Sequence, residues 1–245
     1  NVPIKISQYS LREIIRQTIF STAEGEANRI MTGELFEISG STFKMTSLDG
    51  HRISIRSINL RESYDEDKKV IVPKKTLNEL TKILTGSSDD IVSIYITENH
   101  IIFDYDDTTI VSRLIDGEYF NVNQMLSRDY ETKITVNKKE LSDSITRATL
   151  MSNEADKKPI VLDITEQNLN LTIKSAKGVF NEDVNVVKEG NDLRIAFNPK
   201  FVLDVLKVID EETVQIYLLT AKSPCFIRDD SESYVYLVLP VNFNG

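Results

Sequence analysis

The stretch Leu48-Asp49-Gly50-His51-Arg52-Ile53-Ser54 sets an acid, an imidazole, a guanidinium and a hydroxyl side by side in a chain with only two histidines. Such a set could serve hydrolysis, with Asp49 orienting His51 as the general base for a distant nucleophile. The spacing argues otherwise. Asp49 and His51 are two apart and share one face of an extended strand, Ser54 points to the opposite face, and no nucleophile stands nearby in the sequence. A turn at Asp49-Gly50 entering a strand accounts for the same residues. The second histidine, His100, precedes Asp104, Asp106 and Asp107. That spacing matches no familiar metal-ligand set and reads instead as the polar face and tip of a hairpin. Cys225 is the lone cysteine, lies in the apolar run Pro224-Cys225-Phe226-Ile227 and cannot form an internal disulfide; a reducing cytoplasm fits best. These residues predict no catalytic centre, no metal and no cofactor.

The elements around these residues follow from the period of the apolar positions. Four segments repeat at helical spacing: Ser10–Ser21 with Ser10 as N-cap, Pro73–Leu84, Asn137–Met151, and Asn198–Ile209 with Asn198 as cap and Pro199 at the first helical position. Between them lie short alternating runs rich in Ile, Val, Tyr and Phe: 91–95, 101–105, 109–115, 169–175, 214–218 and 234–239. Polar clusters at Asp106-Asp107, Glu189–Asp192 and Asp229–Ser231 mark turns. No apolar run reaches the roughly 18–20 residues of a membrane helix.

The second and fourth helical segments superpose with a shift of 125, Leu77 on Val202, Leu80 on Val205, Lys82 on Lys207 and Leu84 on Ile209. The first and third match near a shift of 130, Leu11 on Leu141 and Ile15 on Ile145. A divergent internal repeat of this length predicts two tandem copies of one α+β domain, each with two helices packed on antiparallel sheets of about eight strands, spanning 1–122 and 123–245. The chain carries −9 overall, yet the four helical segments hold ten cations against five anions, so the remainder carries −14. One mildly positive surface on an acidic protein suits loose, sequence-independent contact with phosphates and no base readout.

Short motifs then point to a family. Met31–Glu37 (MTGELFE), Asp49–Arg52 (DGHR), Val70–Leu80 (VIVPKKTLNEL), Arg113–Phe120 (RLIDGEYF), Arg147–Glu154 (RATLMSNE), Phe197-Asn198 with Val202–Leu206 (VLDVL), and Leu237–Val241 (LVLPV) together resemble the bacterial DNA polymerase III β subunit, the sliding clamp, in order and spacing. The resemblance covers the whole chain and corresponds to the second and third of the family's three domains, which agrees with a start at Asn1 rather than Met. It implies a non-catalytic processivity factor, in which two full-length chains close head to tail around double-stranded DNA. Because that ring joins a first domain to a third, these 245 residues alone are expected to stay monomeric, with a dimeric mass in light scattering as the contrary result.

The resemblance also implies a docking pocket between the two domains for a short extended peptide carrying a Gln and a hydrophobic pair, presented by polymerases, the clamp loader and repair factors. Carried over by motif, its walls are Met31, Leu48, Gly50, His51, Arg52, Ile53, Pro73 and Leu77, facing Ile145, Asn198, Phe201, Pro224, Leu237, Val238, Leu239, Pro240 and Val241. His51 is then a rim residue. Weak phosphate contacts are expected from Arg12, Arg16, Lys74, Lys75, Lys82, Lys138, Lys139, Arg147, Lys200 and Lys207, with Arg29 in the loop 25–30. The family commonly has Thr or Ser at the place of Leu48, which makes this pocket more apolar. It commonly has Arg where Asn242-Phe243 follow Pro240-Val241, and the loop 25–30 lacks the aromatic residues that some members set against DNA. The rivals are a hydrolase built on Asp49 and His51, and a peptide-binding scaffold unconnected with DNA. Reversing Lys74 and Lys82 in the full-length chain tests the latter, since unchanged DNA loading would favour it.

Overall fold

The computed structural model describes residues 2–25, 27–153 and 155–243, so the final residue of the Arg147–Glu154 motif lies outside the described residues. The chain divides into two compact units, one running to Val122 with the short return segment Glu232–Tyr234, the other from Asn123 to Ser231 and from Val235 onward. Residues 232–234 count with the first unit, where the Ser57 amide donates to the Ser233 carbonyl at 2.8 Å.

The first unit runs β1 (Ile4–Ser7), α1 (Gln8–Arg16), β2 (Gly33–Leu48), β3 (Arg52–Pro73), α2 (Lys74–Ile83), β4 (Ile91–Ile96), β5 (His100–Tyr105) and β6 (Thr108–Arg113). Strands β1, β4, β5 and β6 form an antiparallel sheet in that order. β2 and β3 make one long hairpin whose register shifts on either side of Gly40, where φ is +57°. The bulge bends the hairpin, so its near half pairs residues 42–48 with 53–59 and its far half pairs 33–38 with 68–73.

The second unit runs β7 (Thr132–Asn137), α3 (Lys138–Thr149), β8 (Ile160–Thr165), β9 (Asn168–Ser175), β10 (Gly178–Gly190), β11 (Leu193–Phe197), α4 (Pro199–Leu206), β12 (Thr213–Leu218), β13 (Cys225–Arg228) and β14 (Tyr234–Val238). Its eight strands follow the order β11, β8, β9, β10, β7, β12, β13, β14. Here four separate strands occupy the place between the helices that the bent β2–β3 hairpin takes in the first unit. β9 pairs with β10 as the near half of the hairpin pairs with itself, and β11 with β8 as the far half does. Counted by its two halves, each long strand of the first unit stands for two, and both units share one order of elements.

The burial of equivalent positions agrees with that repeat. Leu77, Leu80 and Leu84 are buried, as are Val202, Val205 and Ile209; Leu11 and Ile15 are buried, as are Leu141 and Ile145. In the first unit these helical residues pack on Phe36, Phe43 and Phe103, with the Phe36 and Phe43 rings edge to face at 5.2 Å.

The helix termini differ from the sequence expectation most in α1, while α4 ends at Leu206, short of Ile209. α1 is capped by Ser7, whose hydroxyl accepts from the Ser10 amide at 3.0 Å, so Ser10 lies inside the helix. The helix ends at Arg16, and beyond it Thr18 turns its hydroxyl back to the Ile14 carbonyl at 2.8 Å. Two Ser residues at this spacing both satisfy the cap pattern, and the β1 strand that ends at Ser7 decides between them. Asn198 caps α4 as expected, accepting from the Lys200 amide at 3.0 Å with Pro199 at the first position.

Candidate functional site

Asp49 organises the turn that opened the sequence reading. Its Oδ1 accepts the backbone amides of His51 at 2.9 Å and Arg52 at 3.1 Å, and its Oδ2 accepts from Nε of Arg52 at 3.0 Å. Gly50 sits at φ +89°, in the left-handed region that a side chain disfavours. The Arg52 guanidinium is buried against the carboxylate and lies over the Phe20 ring at 5.6 Å. Thus both oxygens of Asp49 serve the turn and its arginine. Ser54 points inward and shares a hydrogen bond with Ser21 at 2.5 Å. Asp49 is the anchor of a turn, as the turn reading of these residues expects.

The acids near His100 have hairpin duties. Asp104 accepts from the Thr109 hydroxyl at 2.9 Å across β5 and β6, and Asp106, at φ +49°, accepts from Nε2 of the Gln8 side chain at 3.2 Å. Among the described residues no three His, Cys, Asp or Glu side chains gather closely enough to hold a metal. Cys225 is buried in β13, and burial pushes its thiol up to about 12.

Taken within the first unit, the residues named for docking fall at strand ends and turns. Gly50 and His51 are exposed on the Asp49 turn; Met31 and Pro73 are half-buried. Leu48, Arg52 and Ile53 are largely enclosed, and Leu77 is fully buried in the core, so it shapes the surface from beneath and offers none of its own. In the second unit, Ile145 is likewise a core residue, and Leu237 and Val238 are buried within β14. Leu239, Pro240 and Val241 leave the strand half-buried, with the Val241 amide donating to the Ala196 carbonyl at 2.8 Å. Asn198, Phe201 and Pro224 are also half-buried. Where the family carries Arg after the Pro-Val pair, the Phe243 ring lies beneath the Arg194 guanidinium at 5.4 Å.

Most of the basic side chains proposed to face DNA are already engaged. Arg16 pairs with Glu13 at 2.7 Å, Lys82 with Glu79 at 2.9 Å, Lys139 with Asp143 at 2.6 Å and Lys200 with Asp204 at 2.6 Å; Lys74 pairs with Glu24. Arg147 grips Glu182 through two nitrogens, which raises the guanidinium pKa and lowers that of the carboxylate. Arg12 and Lys138 donate to the carbonyls of Leu84 at 2.8 Å and Ile209 at 2.5 Å. Arg29, Lys75 and Lys207 have no ion-pair partner among the described residues. The helices are therefore less positive at their surface than a count of lysines and arginines suggests.

Sequence reasoning passed over a buried polar cluster behind the Asp49 turn. Glu34 on β2 is wholly buried; Oε2 accepts from the Thr18 hydroxyl at 2.8 Å, while Oε1 has no partner among the described residues. Burial pushes this carboxyl well above the usual range, against the pull of Thr18 and the charge of Lys74. The Tyr119 phenol, raised first by its own burial and then by Glu34, donates to the Thr46 carbonyl at 3.3 Å. Ser47 donates to the Thr18 carbonyl at 2.5 Å. The signal was present in MTGELFEIS, since Glu34 alternates with Phe36 and Ile38 onto the core face.

Two modules of two helices and eight strand segments, joined in tandem, define a DNA-clamp architecture. Residues 5–121 match the family described as DNA polymerase III beta subunit, central domain, and residues 123–242 match DNA polymerase III beta subunit, C-terminal domain. The chain belongs to the DNA polymerase III β subunit family, the bacterial sliding clamps. It is 32% identical to the beta sliding clamp of Bacillus subtilis over 243 residues, covering 97% of this chain and 64% of that protein. With the Staphylococcus epidermidis clamp it shares 32% over 241 residues, covering 97% and 63%. A crystal structure from Eubacterium rectale assigned to the DNA polymerase III beta subunit is 56% identical, with a TM-score of 0.96 over 99% of this chain and 66% of that one. The solved Bacillus subtilis clamp gives a TM-score of 0.95 at 30% identity, over 100% and 66%. The chain thus spans 63–64% of the length of these curated relatives.

Proposed function

We propose that the protein serves as part of a non-catalytic sliding clamp, a ring that holds double-stranded DNA without reading its sequence and tethers the polymerase, clamp loader and repair factors through a short peptide. Its place is the cytoplasm, at the nucleoid. A full-length chain closes head to tail with a second copy, and a polypeptide of these 245 residues alone is monomeric. Candidate peptide contacts within the first unit are Gly50 and His51, and within the second unit Asn198, Phe201 and Leu239–Val241.

The observation that carries this reading is the match of both modules to clamp domains; the exposure of Gly50 and His51 on the Asp49 turn is consistent with it. The chemistry fits a transient partner. Burying two or three large apolar side chains supplies about 1.5–3 kcal/mol each before the cost of ordering the peptide. A dissociation constant of micromolar order follows. In fluorescence anisotropy, a labelled peptide carrying Gln and a hydrophobic pair should bind saturably in that range. His51→Ala should weaken it a few-fold with unfolding unchanged, as expected of a rim contact. Absence of saturable binding at about a hundred times the micromolar estimate refutes the reading.

A further inference from the structure

The second unit holds a cavity of about 720 Å³ that the reading above leaves unused. Lys200, Leu203 and Asp204 of α4 and its C-cap residue Lys207 line it at helical spacing, together with Lys157 and Lys158. Among the described residues one acid lines it, Asp204, and that carboxylate pairs with Lys200 at 2.6 Å. Lys158 pairs with Asp156 at 3.0 Å, whereas Lys157 and Lys207 are exposed with no ion-pair partner among the described residues. The cavity therefore has a net positive charge above a partly apolar floor that includes Leu203 and Val241.

We propose that this lysine-lined cavity receives carboxylate side chains that flank the hydrophobic pair of a docked peptide, so that partners with an acidic flank bind more tightly. The inference rests on the peptide-docking reading, because Asn198 and Val241 line the cavity and also belong to the proposed docking surface. Two features favour a peptide over nucleic acid. The volume suits a few side chains, and among the described residues no aromatic side chain lines it for base stacking.

Three labelled peptides test this on the 245-residue chain: the Gln-and-hydrophobic core alone, the core with two Asp added before it, and the core with two Asp added after it. One acidic flank should tighten binding about three- to tenfold, the range for two partly exposed ion pairs. That gain should shrink as salt rises. Lys157→Glu, and separately Lys157→Ala with Lys158→Ala, should erase the gain and leave the core peptide unchanged. If the core binds but neither flank gains affinity, the cavity proposal fails while the docking reading stands. If the core itself does not bind, both fall. If the lysine variants instead lose affinity for a labelled oligothymidylate with no change in flank preference, the cavity is a nucleic-acid site and the proposal is overturned.

Discussion

Replacing Glu34 by Gln should stabilise the first unit, by a margin that grows with pH. The side chain is fully enclosed, its Oε2 is held by Thr18 at 2.8 Å, and its Oε1 has no partner among the described residues. Burial lifts the native pKa well above the usual 4.5, so from 4.5 up to that raised value the folded chain keeps a proton that the unfolded chain has lost. In that window stability falls as pH rises, by up to about 1.4 kcal/mol per pH unit, and levels off once the native carboxyl ionises. Gln keeps the oxygen that Thr18 needs and has no titrating proton. Any constant offset from its amide leaves the slope untouched. The margin of the variant over wild type should thus widen with pH across that window, by up to about 1.4 kcal/mol per unit. Urea unfolding followed by far-ultraviolet circular dichroism at about pH 5, 6 and 7, with both proteins side by side, measures this difference. A margin that stays flat across the series refutes the reasoning, because Glu34 would then titrate alike in both states.

Two further outcomes follow from the same geometry. Asp49→Ala removes the acceptor for two turn amides and the carboxylate paired with the buried Arg52 guanidinium; the loss should be about 3–5 kcal/mol in urea unfolding, with peptide binding lost as well. Cys225 should resist a thiol-reactive dye in the native protein at about pH 8 and react only as the chain unfolds, since its buried thiol is pushed up to about 12.

The repeat was legible because burial repeats with it. The apolar stripes of α2 and α4 align residue for residue, and each supplies its own unit's core. What differed between the units was hidden by a single glycine. Gly40 lets two strands of the first unit run on through a bulge where the second unit turns at Glu166, at φ +49°, and begins β9 anew. The period of apolar residues does not distinguish a bend from a break. The Asp49 turn was readable as a turn, but its role as the anchor of Arg52 depends on Phe20, from a distant segment. Leu77 entered the docking set through its motif and Ile145 through the family resemblance, and neither carries a measure of depth; both lie in the core.

The cations of the helices hold an implication for motion along a duplex. An arginine or lysine already matched to a neighbouring carboxylate, as Arg147 is to Glu182 and Lys139 to Asp143, surrenders one anion when it meets another. Its net gain from any given phosphate is small, and letting go is correspondingly cheap. In the ring proposed above, helices furnished in this way would act as a bearing rather than an adhesive, held on the duplex by closure and not by grip.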